Sequence, residues 1–82
     1  MTKDEVFLLL QNEILNVLPL ADSQLITAES RLVDLGANSI DRSEIVISCM
    51  TALNIKLEPS ALANLKNIGD LWETLYIATN SQ

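Results

Sequence analysis

The chain has no histidine among its 82 residues. The commonest general base at neutral pH is therefore missing, and neither a Ser-His-Asp nor a Cys-His arrangement can be assembled. There is one cysteine, Cys49, which cannot form an internal disulfide and so predicts a reducing, cytoplasmic setting. Two glycines and two prolines leave little turn chemistry for a sheet, and only Phe7, Trp72 and Tyr76 are aromatic. Lysine and arginine are scarce. Five basic residues stand against 11 acidic ones, a net charge of −6, which excludes the basic face expected of a nucleic-acid or anionic-membrane binder. No apolar run approaches the roughly 18 residues of a membrane span. Val6–Leu10 is too short for the apolar stretch of a secretory signal and is followed by Gln11, Asn12 and Glu13. Walker and dinucleotide glycine motifs are absent, and the acids have no EF-hand spacing, so no metal site is predicted.

What is present is a dense apolar pattern. Hydrophobic residues make up 49% of the chain, most of them Leu, Ile, Ala and Val. A chain of this size makes one small domain, 1–82, that buries only about 60% of its unfolded surface. Helical periodicity places a first helix over Lys3–Leu18, with Val6, Leu10, Ile14 and Val17 on one face, Thr2 as cap and Pro19 as stop. Leu8 and Leu15 lie on another side and call for cover from the loop that follows. That loop, Leu20–Asn38, is long, carries Leu25, Ile26, Leu32, Val33 and Leu35, and is predicted to be pinned to the core with a turn around Thr27–Arg31.

A second helix is expected over Ser39–Leu53, with Asn38 as cap and Asp41 three residues on. Ile45, Val46, Cys49 and Leu53 form its core stripe, which makes Cys49 a small buried apolar side chain rather than a nucleophile. Leu53–Leu57 reads as an extended linker. A short third helix is expected over Pro59–Leu65, and a last one from Ile68, capped by Asn67, with Leu71, Trp72, Leu75 and Tyr76 completing its stripe. The predicted fold is all-α: a small four-helix bundle of three main helices and a short third one, with a long first loop.

The chemistry that remains is concentrated in Asp34-Leu35-Gly36-Ala37-Asn38-Ser39-Ile40-Asp41. A glycine turn delivers Ser39 to the first position of a helix, where its hydroxyl faces solvent beside free N–H groups that favour an anion. By chemistry alone this is either an ordinary capped helix start or a place of attachment. Ile40 and Ile47 lie opposite the core stripe, Met50 borders them, and Asp34, Asp41 and Glu44 surround the serine. That combination describes a docking face, although isolated surface isoleucines are common. Arg42 falls near the core stripe, within reach of Asp34 or a loop carbonyl.

The run from Asp34 to Asp41, followed by Glu44-Ile45-Val46, resembles the phosphopantetheine attachment motif of acyl carrier proteins, Leu-Gly-(any)-Asp-Ser-Leu with a Glu-Leu-Val-like triplet behind it. Length, acidity, long first loop, short third helix and the start Ile68-Gly69-Asp70-Leu71 resemble the family too. The resemblance implies that the chain is not an enzyme. It implies that Ser39 carries a covalent 4′-phosphopantetheine, placed there by a phosphopantetheinyl transferase, whose thiol holds an acyl group as a thioester. Ile40, Asp41, Arg42, Glu44, Ile47 and Met50 then correspond to the partner-recognition helix, meeting a basic rim and an apolar pocket. Asn38 stands where the family has aspartate, which helps hold magnesium in the transferase complex, so slower modification or the need for a matched transferase is expected. Asn38-Ser39-Ile40-Asp41-Arg42-Ser43-Glu44-Ile45 is most similar to discrete donor carriers of polyketide β-branching cassettes. That implies a monomer carrying a short acyl group, acetyl. An acyltransferase or decarboxylase would load it, and a hydroxymethylglutaryl-CoA-synthase-like or ketosynthase enzyme would receive the group. A fatty-acid-synthesis carrier and a cofactor-free helical interaction domain are the alternative readings.

Overall fold

The computed structural model describes residues 1–81 and is all-helical over them. Helix α1 spans Lys3–Val17, α2 Ser39–Leu53, α3 Pro59–Leu62 and α4 Ile68–Asn80. α1 lies against both α2 and α4. Val6, Leu10, Ile14, Ile45, Cys49, Ile68 and Leu75 are almost fully buried between these three helices. Each such aliphatic side chain contributes about 1.5–3 kcal/mol of transfer free energy. No helix among the described residues is long and apolar enough to cross a membrane.

The long helices begin where short polar side chains close on their own backbone. Thr2 Oγ1 accepts from the Glu5 N–H at 3.2 Å, and Glu5 answers by accepting from the Thr2 N–H at 2.8 Å. Asn67 Oδ1 accepts from the Asp70 N–H at 2.9 Å. α2 ends on Asn54 in the left-handed conformation (φ 55°), with the Ile55 N–H donating back to the Met50 carbonyl at 3.0 Å. The indole of Trp72 donates to the Lys3 carbonyl at 2.7 Å and meets Phe7 edge-on at 4.8 Å, which fastens α4 to the start of α1.

The first loop is structured as expected, and more tightly. Two 3₁₀ turns, Ser23–Leu25 and Leu32–Leu35, flank the turn at Thr27–Ser30. The Ser30 hydroxyl donates to the Leu25 carbonyl at 2.6 Å. Ile26 is buried. The loop then caps α4: the Ile68 and Gly69 N–H groups donate to the Ser30 and Ala28 carbonyls, each at 2.8 Å.

Three expectations need correction. α1 stops at Val17, one residue early, because Leu18 leaves helical geometry ahead of Pro19 while its N–H still reaches the Ile14 carbonyl. α3 ends at Leu62, not Leu65: the Lys66 N–H bonds to the Asp70 carboxylate at 2.9 Å, so this stretch serves α4 instead of prolonging its own helix. Leu8 is 58% exposed, because the loop crosses α1 at Ala28, beside Phe7 and Trp72, and leaves Leu8 at the edge of that cleft. Leu15 is half-buried.

Candidate functional site

The second 3₁₀ turn, Leu32–Leu35, ends on Gly36 at φ 95°, a conformation that side chains rarely adopt. The Gly36 N–H donates to the Val33 carbonyl and the Ala37 N–H to the Leu32 carbonyl, both at 3.1 Å. Ala37 is buried and anchors the turn. The chain then emerges at Asn38, whose Oδ1 accepts from the Asp41 N–H at 2.8 Å, while Asp41 accepts from the Asn38 N–H at 3.2 Å. This reciprocal box fixes the first turn of α2. Ser39 is its first residue and is exposed, and the hydrogen bonds of the turn, made by its neighbours, leave its hydroxyl outside them.

Beside Ser39 lies a groove of about 630 Å³ between α2, the second 3₁₀ turn and the α3–α4 linker. Val46, Met50, Leu62, Leu65 and Leu71 give it an apolar lining, and Arg31, Arg42 and Lys66 line it as well. Its volume lies within the range of about 300–1,000 Å³ typical of small-molecule sites.

A family model described as "Phosphopantetheine attachment site" matches residues 9–75. The polyketide biosynthesis acyl-carrier-protein AcpK of Bacillus subtilis (strain 168) is 41% identical over 76 residues, 93% of this chain and 93% of that protein. The chain belongs to the acyl carrier protein family. It is a carrier and not a catalyst, and its cofactor is a covalently attached 4′-phosphopantetheine. The cofactor supplies the thiol that the protein itself lacks in reactive form. Cys49 is fully buried, and burial, helped by the charge of Glu13, pushes its thiol up to about 12. The residues present fit the group: an exposed hydroxyl opens a long helix and stands on a groove wide enough for an aliphatic arm.

The structure separates the other candidates. Ile40 and Ile47 are 69% and 57% exposed on the outer side of α2, with Met50 half-buried beside them. Val33, which the sequence placed among the residues pinning the loop to the core, is instead 58% exposed on the turn before the serine and extends this apolar face. The acidic surround is weaker than its composition suggests. Asp34 is paired with Arg31, Nε to Oδ2 at 3.0 Å, and Asp41 is engaged in the cap, which leaves Glu44 as the uncommitted acid. Arg42 therefore does not take Asp34, as one reading had it; Arg31 does, and Arg42 turns to the groove. Arg31 lies three residues before Asp34, a spacing that was open to inspection. Lys66 had no such signal, because three separate elements bring it to the groove.

Proposed function

We propose that the whole chain is one carrier domain and that Ser39 is its attachment serine. A phosphopantetheinyl transferase would join the Ser39 oxygen to the phosphorus of the arm as the pyrophosphate of coenzyme A breaks and adenosine bisphosphate leaves. The observation that carries this is the position of Ser39: it is the exposed first residue of a capped 15-residue helix, at the mouth of the groove. We read Ile40, Ile47 and Met50, with Asp41, Arg42 and Glu44 around them, as the partner face. Its chemistry suits an apolar pocket with one basic group opposite Glu44.

The likeness to the polyketide biosynthesis carrier of Bacillus subtilis supports a place in polyketide biosynthesis. The motif Asn38-Ser39-Ile40-Asp41-Arg42 supports the finer reading of a cytoplasmic donor of acetyl in β-branching. In that reading an acyltransferase or decarboxylase loads the carrier, and a hydroxymethylglutaryl-CoA-synthase-like or ketosynthase enzyme unloads it.

Incubation with coenzyme A, magnesium and a broad-specificity transferase, followed by mass spectrometry, tests the attachment. One phosphopantetheine is expected on the native chain and none on Ser39→Ala. Addition to the variant would move the site elsewhere. Presenting the acetylated carrier to a β-branching synthase tests the subtype.

A further inference from the structure

The groove beside Ser39 has a charge unlike that of the protein around it. Of five basic residues in the chain, three line it, and none of the 11 acidic residues does. Arg31 is paired with Asp34. Arg42 and Lys66 are exposed, make no ion pair among the described residues, and approach the groove from different elements, α2 and the α3–α4 linker. A monomer of net charge −6 gains little stability from gathering cations there, since exposed charges are well solvated. They suit an anion brought to that place.

Arg42 lies three residues after Ser39, and side chains at this spacing are neighbours on a helix surface. An anionic group joined to the Ser39 oxygen is therefore within its reach. We propose that Arg42 and Lys66 hold the phosphodiester of the arm and turn the arm into the groove, over Val46, Leu62 and Leu71. This rests on Ser39 being the attachment point. The guanidinium of Arg42 matches two phosphate oxygens with parallel N–H donors, and Lys66 adds a point charge from the opposite wall. The apolar floor suits the aliphatic part of the pantetheine. The two cations are positioning residues: they set where the thiol rests between encounters.

The test uses holo protein whose loading has been verified by mass, so a chain that accepts no phosphopantetheine would refute the attachment reading and not this one. Amide resonances of Arg42 and Lys66 and methyl resonances of Val46, Leu62 and Leu71 should shift between apo and holo protein. The double variant Arg42→Gln/Lys66→Gln should lose those methyl shifts. It should also raise the rate at which N-ethylmaleimide alkylates the arm's thiol by about two- to fivefold, a factor appropriate to exposed ion pairs. Cys49 is buried and does not compete. Arg42→Lys should restore part of the protection, and Lys56→Gln, a cation outside the groove, should change nothing. Circular dichroism of each variant separates these effects from unfolding. Equal alkylation rates in native and double-variant holo protein would overturn the proposal. So would shifts that appear only when the thiol bears a carboxylated acyl group, since the cations would then be answering the cargo and not the phosphodiester.

Discussion

The backbone N–H of Gly69 donates to the carbonyl of Ala28 at 2.8 Å, which ties the first loop to the start of the last helix. The approach leaves no room for a side chain. A Cβ at Gly69 would lie 2.9 Å from that carbonyl oxygen and 3.2 Å from the Ala28 Cβ. Gly69→Ala gains helix propensity of up to about 1 kcal/mol. Overpacking against backbone costs about 1–3 kcal/mol. The steric cost wins, and thermal melting should show a lower Tm, by roughly 4–8 °C for each kcal/mol of net loss.

The cap of α2 can be separated from the chemistry of its serine. Asn38→Ala removes the acceptor for the Asp41 N–H and should cost about 0.5–2 kcal/mol in denaturant titration. Asn38→Asp keeps that acceptor and should melt close to the native protein. If the aspartate of the family's motif serves magnesium in the transferase complex, Asn38→Asp should also load faster. Equal loading rates would leave Asn38 as a cap and nothing more.

Cys49 gives a pH dependence with a definite sign. Its thiol is raised from an ordinary 9.0 to about 12 by burial, with a smaller contribution from the charge of Glu13. Folding thus favours the neutral form. The resulting stability is fully present below pH 9 and is lost as the pH climbs from there towards 12. Iodoacetamide at pH 8 should leave native apo protein unlabelled and should label it once unfolded. Rapid labelling without unfolding would place the thiol at the surface.

The two sides of α2 should respond in opposite ways. Ile47 is 57% exposed and Ile45 is fully buried. Ile47→Glu should keep its circular dichroism and lie within about 0.5 kcal/mol of native stability, while acyl transfer to partner enzymes falls. Ile45→Ala should lose about 2–5 kcal/mol. Loss of helicity in Ile47→Glu would make Ile47 a core residue.

Much of this was legible because it is local. Thr2, Asn38 and Asn67 cap through bonds to a residue three positions away, and Pro19 and Pro59 mark helix ends by their own rings. The apolar period gave the faces of α1, α2 and α4. Tertiary constraint accounts for what was missed. α3 is short because Asp70 takes the Lys66 N–H, and Leu8 is bare because of where Ala28 crosses α1. Around the serine, what the structure bears out is local: Ser39 is exposed at the start of its helix, and Ile40 and Ile47 are exposed on its outer side. The acidity around the serine was overread, because Asp34 is paired with Arg31 and Asp41 is held in the cap, and only Glu44 stays uncommitted.

That correction changes how a partner meets the carrier. Along α2 the ionised side chains are Asp41, Arg42 and Glu44, all in the first two turns, and Ile45–Leu53 carries no charge. The net charge of −6 belongs mostly to other faces. It would draw a basic partner closer from a distance but give little bearing on the serine. On the proposed partner face, final alignment would fall to Val33, Ile40 and Ile47, whose apolar contacts are indifferent to ionic strength. Salt would then alter how often partners collide and leave how long they stay almost untouched.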